Sequence, residues 1–507
     1  MSSLKKLASQ TAVYGLSSIV GRMLNYLLVP LYTRVFLTGE YGIVTELYAF
    51  VSFFNIVFTY GLETAFFRYA EKEKGNPKVY STSLISIIVS SVSLALVIIL
   101  FSSPIAAWMN HSDGSDKMLP QYISCFALVL AFDAISAIPF ARLRQEAKAF
   151  RFAFIKLVWI LVNVGLNIFF LLVCPAIKDG MMYGLVSRVY DPTIGIGYVF
   201  ISNLIASGIV LLLLAPELFK TAYSFDKKLW RSMLIYSLPL MVAGFAGMIN
   251  ETFDRIMLPR LIADKSTAMS QLGIYGACYK LSILMSLFVQ TFRYAAEPFF
   301  FSQASSDKAQ EIYRRVMHYF VLMCAFIFLA IMMYMDIVKT FIGKEFRDGL
   351  AVVPILLMAN LCLGVFYNLS IWYKITHKTK WGAWFSIIGA IITLILNFTL
   401  IPVMGYMGAA WATLICYAAM MFISYFVGQK YYHVNYDVRS FVHFVSSALV
   451  LYFLSEWIRG RYLLNSNTMI LINTGILIVF LASAYIYERR KNSYIRIPFR
   501  KSHKRDL

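Results

Sequence analysis

The sequence predicts an all-α polytopic membrane protein of about fourteen transmembrane helices: two six-helix lobes in a parallel pseudo-twofold repeat, followed by two extra helices. Three observations carry this: a composition far too apolar for a soluble domain, apolar stretches along the whole chain, and an internal echo between its halves. Of the 507 residues 60% are hydrophobic, 16% aromatic and only 14% charged, with a mean hydropathy of +0.68. A soluble domain carries about 25% charged residues. The apolar segments do not alternate in the short strands of an outer-membrane barrel, so helices are expected.

The spans follow in order. The first, 11–37, begins after Met-Ser-Ser-Leu-Lys-Lys and is too long for the apolar core of a cleavable leader, so it is expected to be retained. Then come 41–66, 79–101, 118–142, 151–174 and 194–216, completing a first lobe placed at 1–220. The spans 229–258, 270–292, 315–341, 349–373, 381–404 and 406–430 form a second lobe at 221–432. The last two, 439–459 and 467–487, fall in 433–488, before a basic tail at 489–507. Several exceed the roughly 20 residues a bilayer needs, so tilted or protruding helices are expected.

Lys and Arg set the orientation. With the N-terminus in the cytoplasm, and basic residues at span ends counted with the adjoining segment, 31 of the 46 fall on the cytoplasmic side and 9 on the external side. This bias places both termini inside. It accounts for the net charge of +20 without nucleic acid. The basic tail reads as a topology anchor, with contact to anionic lipid as the alternative. The six cysteines form no CxxC pair, so neither disulfide nor metal site is expected. Walker, HExxH and GxSxG motifs are absent. The loops are short, so no catalytic domain, enzymatic activity or cofactor is expected.

The echo has three parts. Tyr-Gly-Ile-Val-Thr-Glu-Leu-Tyr-Ala at 41–49 aligns with Leu-Gly-Ile-Tyr-Gly-Ala-Cys-Tyr-Lys at 272–280, Phe-Arg-Tyr-Ala at 67–70 recurs at 292–295, and Leu-Asn at 166–167 recurs at 396–397. The offsets are 231, 225 and 230 residues. A period of six spans is even, so both copies start on the same side and the symmetry axis runs along the membrane normal.

Four stretches carry a family resemblance: Gln-Thr-Ala-Val-Tyr-Gly-Leu-Ser-Ser-Ile-Val-Gly-Arg at 10–22, Thr-Arg-Val-Phe-Leu-Thr-Gly-Glu-Tyr-Gly-Ile at 33–43, Asp-Arg-Ile-Met-Leu at 254–258, and Leu-Asn-Phe-Thr-Leu-Ile-Pro-Val-Met-Gly-Tyr-Met-Gly-Ala-Ala-Trp-Ala-Thr at 396–413. Over roughly residues 5–430 the chain resembles the bacterial polysaccharide transporters, the oligosaccharide (O-unit) flippases of the multidrug/oligosaccharidyl-lipid/polysaccharide superfamily, which also holds the multidrug and toxin extrusion (MATE) exporters and the lipid II flippase. The resemblance implies movement of an undecaprenyl-diphosphate-linked oligosaccharide across the bacterial inner membrane for surface polysaccharide synthesis. Implied partners are that lipid-linked substrate, the bilayer and a polysaccharide polymerase. The rival is a MATE-like cation-coupled drug antiporter, which calls for acids deep in the first helices, where this chain has Arg22.

Charges inside the bilayer cost a few kcal/mol each and should face water or protein. Arg22 and Lys280 lie near mid-depth, one per lobe, with Asn25 on the face of Arg22. These three are the expected substrate-binding residues, because a diphosphate or an acidic sugar needs fixed cations. The alternative for Arg22 is a structural pair with an aspartate. Asn250, Glu251, Asp254 and Arg255 fall toward the external end of their span, either as an ion pair, Glu251 with Arg255 at i,i+4, or as an outer gate. Glu46 and Asp133 are candidate coupling carboxylates, with salt-bridge roles as the alternative. Pro239, Gly244 and Gly247 supply places to bend.

Overall fold

The computed structural model describes residues 26–109, 118–177, 188–219, 223–462 and 465–491. No strand occurs among them. The principal helices are α1 (Val29–Val35), α2 (Thr38–Thr59), α3 (Leu62–Lys72), α4 (Pro77–Leu100), α5 (Leu119–Gln145), α6 (Ala149–Ile168), α7 (Gly197–Leu213) and α8 (Lys227–Leu261). They continue with α9 (Lys265–Leu281), α10 (Ile283–Gln303), α11 (Ala309–Met333), α12 (Val352–Leu369), α13 (Lys380–Met404), α14 (Tyr406–Tyr431), α15 (Val438–Arg461) and α16 (Ser466–Lys491). Eleven helical stretches among the described residues are long and apolar enough to cross a membrane, or twelve if α9 and α10 form one bent span. The expected fourteen is not reached among them. The 17-residue α7 is shorter than a full span, and most of the expected span 11–37 lies outside the described residues.

Polar residues in the connections start the helices. Asn76 accepts from the amide of Lys78 with Pro77 at the first helical position, and Asp226 accepts from the amides of Lys228 and Leu229. Asp264 accepts from Ser266, and these bonds hold its carboxyl below the usual range. Breaks are equally local. Tyr60 and Gly61 are both left-handed, at φ 34° and 70°, which ends α2 and starts α3. At Ser282 α9 gives way to α10: the Ser282 hydroxyl donates to the carbonyl of Tyr279, and α10 departs from the line of α9 by 50°. Downstream of α6, Pro175 cannot donate a backbone hydrogen bond, and a π turn fills Phe169–Val173. α8 runs as one helix of 35 residues, with Pro239 inside it.

The helices sort into two packing groups. In the first half α5 packs on α2, α4 and α7, and α6 on α7. In the second half α14 packs on α12 and α13, and α11 on α12. The long α8 touches both, lying against α2 and α3 on one side and α13 and α14 on the other. α15 and α16 dock on α11. Asn473 anchors them, donating to the carbonyl of Met333 and accepting from Ser455 at an otherwise apolar contact.

The halves meet most closely where α2 crosses α9. A Cβ on Gly42 would fall 2.1 Å from the carbonyl oxygen of Met269, and one on Gly273 would fall 1.9 Å from that of Thr38. Only glycine permits this backbone approach. The pairing is reciprocal at the 231-residue offset of the sequence repeat: Gly42 matches Gly273, and Thr38 matches Met269. The second repeat places an arginine over a tyrosine ring after each of the two helix breaks, although the two rings are not matched positions. Arg68, after the α2–α3 break, lies over the Tyr236 ring at 4.2 Å, and Arg293, after the α9–α10 break, lies over Tyr367 at 4.5 Å. Of the third, Asn167 and Asn397 are both fully buried.

Gly273→Ala is therefore expected to lower the thermal midpoint of the purified protein, by about 1–3 kcal/mol of overpacking. Gly247→Ala, whose Cβ meets open space, is expected to be neutral or slightly stabilising. Equal midpoints for the two variants would contradict the close approach.

Candidate functional site

Beside the α2–α9 crossing the halves enclose a cavity of about 340 Å³. Tyr32 of α1 and Tyr41, Thr45 and Tyr48 of α2 form one wall, with Trp159 and Asn163 of α6 and Asn203 of α7. Arg255 of α8 and Tyr279 and Lys280 of α9 form the other. Tyr48 and Tyr279, matched positions of the sequence repeat, both line the cavity.

The walls are held by hydrogen bonds that fix the rings. The Tyr32 hydroxyl donates to Asn167 Oδ1 at 2.9 Å, and Asn167 donates to Asn163 Oδ1 at 2.9 Å. Asn203 donates to the Tyr48 hydroxyl at 3.2 Å. Lys280 occupies the last turn of α9, fifteen residues after Lys265, or about 22 Å along the helix and well inside a ~30 Å hydrocarbon layer. The charged neighbour that acts on it is another cation, Arg255. The Arg255 guanidinium lies flat over the Tyr279 ring, 4.1 Å from its centre. The adjacent Asp254 is already engaged, accepting from the backbone amide of Arg255 at 2.8 Å and from the Tyr275 hydroxyl at 2.5 Å. The cavity thus concentrates positive charge among aromatic rings and amides. Such a lining suits an anion carrying hydroxyl groups.

The expected site residues fall in different places. Lys280 lines the cavity, while Arg22 and Asn25 lie outside the described residues. Glu251 and Arg255 do not form the expected i,i+4 pair. Arg255 turns to Tyr279, while Glu251 is exposed and lines a separate cavity in the second half. The physical reason is magnitude: an exposed i,i+4 pair is worth about 0.2–0.5 kcal/mol, a desolvated cation–π contact about 2 kcal/mol. Asn250 is structural. It donates to the carbonyl of Ser386, accepts from Thr393, and its carbonyl accepts from Tyr417, tying α8 to α13 and α14. Glu46 is fully buried and ion-paired with Arg260 at 2.6 Å, beneath the rings of Phe50 and Trp108. Asp133 has an exposed side chain, accepts from Ser207 at 2.8 Å, and has Lys156 as its neighbouring cation.

The tyrosines of the wall, Trp159, Asn203, and the place of Arg255 in the cavity were not foreseen. One signal was available. Tyr48 and Tyr279 sit inside the repeated segment itself, and residues at a symmetry axis between two halves are natural cavity walls.

Comparisons with known proteins meet this geometry. A family model described as polysaccharide biosynthesis protein matches residues 7–304, more than half the chain. The chain belongs to this family. No curated protein matches it. Among solved structures it is similar to lipid II flippase MurJ in an inward closed conformation, with TM-score 0.70 and 15% identity over 94% of this chain and 98% of that one. It is also similar to a multidrug resistance MATE family transporter of the MOP superfamily. The inward-facing form gives TM-score 0.64 and 12% identity, covering 80% of this chain and 93% of that one. The outward-facing form gives 0.58 and 12%, covering 84% and 95%. The fold is that of these transporters.

Tyr275→Phe removes the donor to a buried carboxylate oxygen of Asp254. It is expected to destabilise the protein by about 1–3 kcal/mol, read as a lower thermal midpoint than wild type. An unchanged midpoint would mean that Asp254 is satisfied by other means.

Proposed function

We propose that this protein is a flippase that moves an undecaprenyl-diphosphate-linked oligosaccharide from the inner to the outer leaflet of the bacterial inner membrane, by alternating access and without making or breaking a bond. The observation that carries the proposal is the placement of Lys280 and Arg255 together in one cavity between the two halves. A diphosphate needs fixed cations, and these two line one cavity between the halves. Family membership supports polysaccharide precursors as the cargo class.

The orientation follows the charge bias, with both termini and the basic end in the cytoplasm. On that orientation the Gly42–Gly273 contact closes α2 against α9 toward the external side, and α10 departs from the line of α9 by 50° toward the cytoplasmic side. This supports an inward-open assignment. The headgroup enters from the cytoplasm, the diphosphate settles on Lys280 and Arg255, and the prenyl tail stays in lipid. The lobes then rock about α8, which touches both. Glu46 of α2 pairs with Arg260 of α8, which supports a salt-bridge role holding α2 to the end of α8. Asp133, open to the cleft, is the carboxylate best placed for ion coupling, and a polymerase that consumes the delivered unit would draw the reaction forward. A drug antiporter fits less well, because a cavity holding Lys280 beside Arg255 repels an organic cation.

Reconstitution with a labelled undecaprenyl-diphosphate oligosaccharide tests this. Wild type is expected to equilibrate the label between leaflets. Lys280→Ala and Arg255→Ala are each expected to slow it at least about tenfold, the cost of one charge-assisted hydrogen bond, while Lys280→Arg retains most of the rate. Drug efflux without lipid transfer would overturn the proposal.

A further inference from the structure

A second polar cavity, of about 200 Å³, lies wholly within the second half, between α8, α10, α12 and α14. Tyr279 lines both this cavity and the central one, so the two are neighbours across a single ring. Its walls differ in character from the central cavity. Glu251 faces it from α8, Gln290, Arg293 and Tyr294 from α10, and Tyr367 from α12. The carboxylate and the guanidinium balance, so there is no excess charge to hold a phosphate.

We propose that this cavity is a carbohydrate subsite, which receives the sugars beyond the diphosphate while the diphosphate rests on Lys280 and Arg255. The proposal deepens the flippase reading and rests on it. Three features point to sugar. Tyrosine rings offer apolar faces to the C–H faces of pyranoses while their hydroxyls remain available for hydrogen bonds. Glu251 can accept from two neighbouring hydroxyls, and Arg293 and Gln290 can donate, the planar groups that pair with vicinal diols. The wall is also prearranged: Arg293 is held over Tyr367, 4.5 Å from the ring centre, so little side-chain order is lost on binding. The position suits the chemistry. The cavity extends from Tyr279 along α10, the segment bent 50° from α9, and so toward the side from which the headgroup enters. A site built to hydrogen-bond hydroxyls discriminates strongly against a cargo that lacks them. This subsite would therefore read the length and sugar pattern of the cargo, whereas the central cations read only its charge.

The test uses the full-length protein in proteoliposomes with two probes, undecaprenyl-diphosphate carrying a single sugar and the same lipid carrying the oligosaccharide. Glu251→Ala and Gln290→Ala are expected to slow oligosaccharide transfer about tenfold and single-sugar transfer less than about twofold. Tyr294→Ala, at an exposed position, gives the same selectivity with the least risk to folding. If both probes slow equally, or neither slows, the subsite is overturned while the flippase reading stands. If wild type moves neither probe, the flippase reading falls and takes the subsite with it.

Discussion

The backbone contact of α2 with α9 is the constraint on which the rest of the molecule depends. With no Cβ at Gly42 or Gly273, two helices from opposite halves approach until each glycine meets the other helix's carbonyl. Water offers no hydrophobic drive between helices in lipid, so close packing must supply the attraction. Beside the contact, Tyr48 of α2 and Tyr279 of α9, matched at the 231-residue offset, both line the cavity. The cavity lies just beyond the crossing because the helices diverge there, α9 ending at Ser282 and α10 turning away. One reciprocal glycine pair thus determines where the halves touch and where they leave space.

Charge occupies that space at a cost. Each cation at depth carries a penalty of a few kcal/mol, and the protein meets it differently at each site. Arg260 pairs with buried Glu46 and lies against aromatic rings. Arg144 pairs with Glu63 near the basic end, and Arg151 with Glu217. Arg255 takes a tyrosine face with Asp254 and Glu251 as neighbouring acids, and among the described residues the charged neighbour of Lys280 is Arg255. An arrangement that leaves two cations side by side is poor for stability alone. It becomes sensible when an anion visits the cavity, which is the physical basis of the proposed role.

Much of the architecture was legible in the sequence. Thirteen of the expected spans correspond to helices in the described residues, because long apolar runs and interfacial caps such as Asp226 and Asp264 leave little choice of conformation. One part of the repeat has a counterpart in the packing, since Gly42 and Gly273, 231 residues apart, each approach the other's helix. The site was only half legible. Depth counting located Lys280, but depth does not give the direction a side chain faces, so Arg255 was assigned to Glu251 when Tyr279 is its neighbour. Asn250 appeared to be a gate residue for the same reason, although its partners lie on α13 and α14, far away in sequence. Tertiary neighbours decide such roles, and a helical wheel does not contain them.

The most direct measurement of the central claim is protection of Lys280 from a membrane-permeant amine reagent, read by mass spectrometry on the purified protein. Adding undecaprenyl-diphosphate oligosaccharide is expected to slow labelling of Lys280 severalfold, leaving lysines of the basic end such as Lys78 and Lys227 unaffected. Labelling of Lys280 at the same rate with and without the lipid-linked sugar would contradict the claim that its charge is there to hold the cargo.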